Sequence, residues 1–221
     1  MKSICLFGGS FDPVHLGHLL VARAALEELP VERVVFIPAA LSPFKTQQQP
    51  TPAPLRLQML RTSLAGRPWA GVDEQEICRG GVSYTIDTIR WYKANFPEAR
   101  LFYLIGQDNA PLLPEWREPD ELAASAEFVV IPRPATGART FLSAHDSSPA
   151  PTKMADRNVR APEQAGGVAA PVHPFKLRSL NGFPLGVSSS EIRARVQQGL
   201  PVEDLLPHGV GEIIRNNRLY L

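Results

Sequence analysis

Two imidazoles, His15 and His18, stand three positions apart just after a glycine pair, in the run Gly8-Gly9-Ser10-Phe11-Asp12-Pro13-Val14-His15-Leu16-Gly17-His18. Ile4-Cys5-Leu6-Phe7 precedes it as a short apolar run that reads as a buried strand, and Leu19 to Leu26 follows as a helix. Glycines between strand and helix let the backbone approach a phosphate with no Cβ in the way. Histidines at that spacing share one face of the helix start, where the dipole already favours anions. The chemistry on offer is a polyphosphate site with two imidazole donors.

Such a site needs strands and helices to hold it, and the first half of the chain alternates between them. Arg33 to Ile37 reads as a second strand, closed by Pro38, and a loop rich in proline and glutamine runs to Pro54. Leu55 to Leu64 reads as a helix, Val72 to Ile77 as a half-exposed strand, and Thr85 to Phe96 as a helix capped by Ser83 or Thr85. Leu101 to Ile105, stopped by Gly106, and Phe128 to Ile131, stopped by Pro132, are buried strands. The alternation argues a doubly wound, mostly parallel α/β sheet of Rossmann-like type, whose ligands lie beyond the carboxyl ends of the strands. That rule puts the Gly8–His18 loop, the Gly106-Gln107-Asp108 turn and Arg133 on one edge.

The 221 residues suffice for one α/β domain with an elaborated loop. From about 135 to 175 the sequence is rich in Ala, Pro, Ser and Gly, and its composition predicts a disordered insertion. Order returns near Lys176. Ser188-Ser189-Ser190-Glu191 starts a helix with Ile192, Val196 and Leu200 on one face, and a last helix fits Gly209 to Asn216. Lysine and arginine (23) balance aspartate and glutamate (22), which gives no sign of a nucleic-acid or membrane-surface partner. No apolar run approaches the roughly 20 residues of a membrane span. Cys5 and Cys78 have no metal or redox spacing and read as buried residues of strands, which fits a reducing, cytoplasmic setting.

The glycine–histidine run resembles the signature of the HxGH nucleotidyltransferases. Within them the chain is similar to the bacterial nicotinate-nucleotide adenylyltransferases. Ser83-Tyr84-Thr85, Ile105-Gly106-Gln107-Asp108, Arg133, Val187-Ser188-Ser189-Ser190-Glu191-Ile192-Arg193 and Asp204-Leu205-Leu206-Pro207 match that family in order. The resemblance implies attack of the nicotinate mononucleotide 5′-phosphate on the α-phosphorus of ATP, giving deamido-NAD and pyrophosphate. It gives catalytic contacts to His15, His18, Lys45 and Arg193. ATP contacts fall to Gly8, Gly9, Ser10, Phe11, Gly106, Asp108, Ser188 and Ser189, and mononucleotide contacts to Thr85, Trp116 and Arg133. Mg²⁺ is implied as well, held mainly by the ATP phosphates, because no carboxylate cluster is evident in the sequence.

Structural alternatives stand beside several of these roles. Asp12 before Pro13 is either a turn residue or a ligand. Ser188 is either a plain cap or a phosphate contact, Asp108 a helix cap or a ribose or phosphate contact, and Trp116 a half-buried core ring or a platform for the pyridine ring. The family places His before Lys or Arg in the loop after its second strand, where this chain has Phe44-Lys45. Lysine keeps the charge there; phenylalanine drops an imidazole hydrogen bond. Relatives acting on nicotinamide mononucleotide or phosphopantetheine are the nearest other readings. A module that binds ATP without turnover would be marked by lost phosphate contacts, yet His15, His18, Lys45 and Arg193 are all present.

Overall fold

The computed structural model describes residues 3–43, 49–132, 174–182 and 186–221. The stretch expected to lack order therefore lies outside the described residues except for its last two positions, as do Phe44, Lys45 and Arg133. Among the described residues six parallel strands form one sheet: β1 (Ser3–Gly9), β2 (Val34–Pro38), β3 (Ala70–Val72), β4 (Arg100–Gly106), β5 (Glu127–Ile131) and β6 (Leu177–Ser179). Their order is β3-β2-β1-β4-β5-β6. Winding reverses between β1 and β4, so a crevice opens beyond their carboxyl ends.

The helices are α1 (Leu16–Glu28), α2 (Ala53–Leu64), α3 (Gln75–Arg79), α4 (Thr85–Asn95), α5 (Pro119–Ser125), α6 (Ser189–Gln197) and α7 (Val210–Asn216). Alternation along the strands sorts the core into two layers. Cys5, Phe7, Phe102 and Leu104 join α1, α2, α6 and α7 on one face, whereas Ile4, Leu6, Leu101, Tyr103 and Ile105 join α4 and α5 on the other. The register pairs Cys5 with Phe102 and Leu6 with Tyr103, which keeps like faces together. No helix among the described residues is long and apolar enough to cross a membrane.

Four local expectations need correction. The segment from Val72 to Ile77 is not one strand: β3 ends at Val72, and Asp73 Oδ1 accepts the Gln75 N–H at 2.9 Å to open α3. Asp73 competes for the backbone as short carboxylates do, and this turns the chain. Cys78 consequently lies exposed in α3, while Cys5 is buried and its thiol pushed well up by that burial. Neither Ser83 nor Thr85 caps α4; its N-cap is Tyr84, and Ser83 Oγ instead accepts the Ala40 N–H at 3.0 Å. Leu200 falls beyond α6 and is 43% exposed, because the helix ends at Gln197 and Gly199 takes φ +67°.

Candidate active site

β1 delivers its two glycines to the crevice, and the reason for their missing side chains is visible. A Cβ on Gly8 would lie 2.1 Å from Tyr103 Oη, and one on Gly9 would lie 3.1 Å from the Phe11 ring. Tyr103 leaves no room for a side chain at Gly8 and Phe11 leaves little at Gly9, so packing gives a reason for the pair beside the phosphate approach expected of it. Phe11 follows at φ +47° and is buried, its ring edge-on to Phe7 and His18 at 5.5 and 5.0 Å. A left-handed phenylalanine is strained, and the surrounding aromatic packing holds it there.

His15 is the N-cap of α1 and His18 lies one turn on; their rings stack at 3.7 Å. The His15 backbone N–H donates to His18 Nδ1 at 3.1 Å. An accepting Nδ1 places the proton of neutral His18 on Nε2, the nitrogen left for a ligand. His15 is buried, and its Nδ1 has no hydrogen-bond partner among the described residues. A Cβ on Gly17 would lie 3.0 Å from the His15 ring, which gives a steric reason for glycine between the histidines. Burial lowers the His15 imidazole to about 4. Burial, and then the neighbouring His15, hold His18 well below 6.5. Both rings are therefore uncharged donors at neutral pH.

Asp12 resolves toward its structural alternative. Oδ1 accepts from Tyr220 Oη at 2.6 Å and Oδ2 from the Thr51 N–H at 3.0 Å, while the Asp12 carbonyl accepts from Arg193 at 2.7 Å. Arg193 also donates to Ser190 Oγ at 3.2 Å and borders a cavity of about 130 Å³ with Ser10, Thr51 and Tyr220. Ser188 Oγ caps α6 by accepting the Glu191 N–H at 3.1 Å. Ser189 Oγ donates to the Pro13 carbonyl at 2.9 Å, so its hydrogen is committed to the protein. Gly8, Gly9, Ser10, Phe11, His15, His18, Ser188, Ser189 and Arg193 thus gather at the end of β1.

A second group surrounds the end of β4. Gly106 closes the strand and opens a 3₁₀ turn over Gln107–Glu115, with Asp108 exposed in its first turn. Trp116 follows, half-buried and edge-on to Phe128 at 6.1 Å. Thr85 begins α4, and its Oγ1 lies 3.4 Å from Tyr103 Oη. Tyr103 thereby touches both groups, beneath Gly8 and beside Thr85. Arg117 lies over the Tyr84 ring at 4.8 Å and ties the turn to the start of α4.

Arg56 is absent from the sequence expectations and is only 1% exposed. It donates to the carbonyls of Thr51, Ser10 and Ala39 at 2.8, 2.9 and 2.8 Å, joining the loops after β1 and β2. Its spacing was a usable signal: Arg56, Leu60, Ser63 and Leu64 share one buried helix face. Tyr220, Tyr103 and Glu76 were also missed. Nothing local marks Tyr220, which is brought to Asp12 across 208 positions.

The cytidylyltransferase-like family model matches residues 6–195, so the chain is a nucleotidyltransferase of that class. The chain is 37% identical over 215 residues to a Gemmatimonas aurantiaca protein named "Probable nicotinate-nucleotide adenylyltransferase", covering 97% of this chain and 90% of that one. A Shouchella clausii protein of the same name is 34% identical, with 100% and 97% covered. The chain belongs to the nicotinate-nucleotide adenylyltransferase family. The fold agrees with the Plasmodium falciparum nicotinic acid mononucleotide adenylyltransferase complexed with NaAD, at TM-score 0.69, 16% identity and coverage of 100% and 98%.

Proposed function

We propose that this chain joins ATP to nicotinate mononucleotide by direct in-line displacement. A mononucleotide phosphate oxygen bonds to the α-phosphorus, the bond from that phosphorus to the bridging oxygen breaks, and pyrophosphate leaves with the electron pair. The attacking phosphate is already anionic, so the protein has no proton to remove. Its tasks are to align the reactants and to stabilise charge on the leaving group.

The observation that carries this reading is the pinned His18. With Nδ1 occupied by the His15 N–H, a neutral ring offers Nε2–H to the phosphates at the start of α1. Arg193, anchored on Asp12, contributes charge, and the first turn of α6 contributes backbone N–H groups. Lys45 and Arg133 have their roles by family resemblance. On the other side of Tyr103, Thr85 and Trp116 would receive the nicotinate ring, with Gly106 and Asp108 near the nucleotide sugar and phosphates.

Mg²⁺ fits as a passenger of the triphosphate. Both Asp12 carboxylate oxygens are engaged by protein donors, and no group of three metal-ligating side chains occurs among the described residues. When bound, the ion would neutralise phosphate charge. The two cysteines are free, which suits a reducing cytoplasmic setting for a single working domain.

The test is pyrophosphate release with ATP and Mg²⁺, offering nicotinate mononucleotide, nicotinamide mononucleotide and phosphopantetheine in parallel. Preference for nicotinate mononucleotide, with deamido-NAD identified by mass, is expected. His18→Ala should lose about 100-fold in kcat/KM or more, the scale of removing one donor from a developing charge. Near-normal turnover in a folded His18→Ala protein sinks the role given to that ring; preference for another acceptor moves the substrate.

A further inference from the structure

Asp12 borders the cavity that Arg193 enters, together with Ser10, Thr51 and Tyr220. A carboxylate beside a site assigned to the triphosphate needs a reason, because like charges repel and the cost grows where water is scarce. Tyr220 supplies one. Its hydroxyl donates to Asp12 Oδ1 at 2.6 Å and the Thr51 N–H donates to Oδ2 at 3.0 Å, so each carboxylate oxygen faces a protein donor. Burial, and then the bond to Asp12, push the Tyr220 phenol well up, which keeps it a neutral donor.

The chain beyond α7 brings this ring to the cavity at a conformational cost. Arg218 and Tyr220 take φ +50° and +65°, and between them the Leu219 N–H bonds to the Ile214 carbonyl at 3.0 Å. A left-handed tyrosine is strained and persists only where its surroundings hold it. Here the ring rests half-buried against the core layer of α1 and α2, with its hydroxyl on Asp12. The main-chain carbonyl of Asp12 in turn accepts from one guanidinium nitrogen of Arg193 at 2.7 Å, and the other donates to Ser190 Oγ at 3.2 Å. Two hydrogen bonds through a single residue therefore connect Tyr220 to Arg193.

We propose that Tyr220 is a positioning residue for the triphosphate: by holding the Asp12 carboxylate, it fixes the carbonyl on which Arg193 is anchored. The inference rests on the assignment of Arg193 to the triphosphate. A phenol suits the task because it donates to the carboxylate while remaining uncharged. A lysine or arginine there would also bind Asp12, but it would set a second cation at the cavity to compete with Arg193 for the phosphates.

The experiment is a double-mutant cycle of Tyr220→Phe with Arg193→Ala, read as kcat/KM for ATP, KM for the mononucleotide and the midpoint of chemical denaturation. Tyr220→Phe keeps the ring on the core and deletes only the donor. It should lower kcat/KM for ATP about ten-fold, mainly through KM, the scale of one hydrogen bond to a charged group. KM for the mononucleotide should stay within about two-fold, as for a distant, independent contact. In the Arg193→Ala background the same substitution should change kcat/KM for ATP by less than about two-fold, since the group it aims is gone. The denaturation midpoint should fall in both backgrounds, which separates packing from aiming. An equal kinetic loss in both backgrounds, or an unchanged kcat/KM for ATP in Tyr220→Phe, overturns the proposal. Should the wild type fail to use nicotinate mononucleotide, the functional reading falls instead. Calorimetric titration with ATP and Mg²⁺ then decides Tyr220 alone: a weakening in Tyr220→Phe that disappears beside Arg193→Ala supports it, and any other pattern ends it.

Discussion

At the end of β1, the loop from Ser10 to Val14 is held by groups 39 to 208 positions away in sequence: the Thr51 N–H and the side chains of Arg56, Ser189, Arg193 and Tyr220. At the end of β4, the turn from Gln107 to Trp116 carries local bonds such as Trp116 N–H to the Leu113 carbonyl, buries Leu113, and rests Trp116 on Phe128. The first region is bound together across the chain by hydrogen bonds, and the second rests on the core through Leu113 and Trp116. Opening a region needs less free energy when few buried contacts and distant bonds cross it. On the proposed reading, the hydrogen-bonded end of β1 would serve the phosphates and the end of β4 the acceptor. It also says where a substitution will register: in stability as well as chemistry near β1, and in binding alone near β4.

Arg56→Met should have the largest effect. The apolar chain fills similar volume but leaves the carbonyls of Thr51, Ser10 and Ala39 without their donor. A loss of about 3–5 kcal/mol is expected, as for removing one partner from a buried charged network. Chemical denaturation reads this directly. A loss below about 1 kcal/mol would mean that the two loops are held by other bonds and that the braced half of the comparison is misread.

Acid should expose the same region next. The folded protein keeps His15 neutral down to about 4, whereas an unfolded histidine takes its proton near 6.5. Between those values the unfolded chain binds more protons, so stability is greatest above pH 6.5 and falls as pH drops toward 4. The difference corresponds to about 3 kcal/mol for His15, and His18 acts in the same direction. Denaturation midpoints followed from pH 7 to pH 4 in wild type and His15→Gln separate this contribution. Parallel curves for the two proteins would show that His15 is not buried as described.

The same contrast governs what could be read from the sequence. The parallel sheet, the phosphate-side motif and most helices were legible because apolar periodicity and glycine or proline stops are local signals. β3 and α3 were misread, since a three-residue strand leaves almost no period and Asp73 redirects the chain through one side-chain bond. The histidine motif was found, but one packing reason for its first glycine was not: Tyr103 closes that space only once β4 lies beside β1. Asp12 could not be separated from a ligand because its partners, Thr51 and Tyr220, come from other parts of the chain. Local chemistry was visible in the sequence, and the bracing that aims it depends on tertiary neighbours.

Trp116 supplies the smallest and sharpest test of the comparison. Its ring meets the core edge-on at Phe128, and its neighbour Arg117 covers Tyr84, so it sits between the apolar layer and the start of α4. Trp116→Leu keeps an apolar side chain against Phe128 and removes the flat π face. If the ring receives the pyridinium, KM for the mononucleotide should rise about ten-fold, as loss of one stacking or cation–π contact implies, while KM for ATP stays near its wild-type value. Stability should move by less than about 1 kcal/mol, because little packing changes. A large fall in stability with unchanged KM would make Trp116 a core residue at the end of β4. A rise in KM with stability intact would leave the acceptor side as the part of the crevice that binds through a locally held turn, and would place its selectivity in that turn rather than in the braced loop.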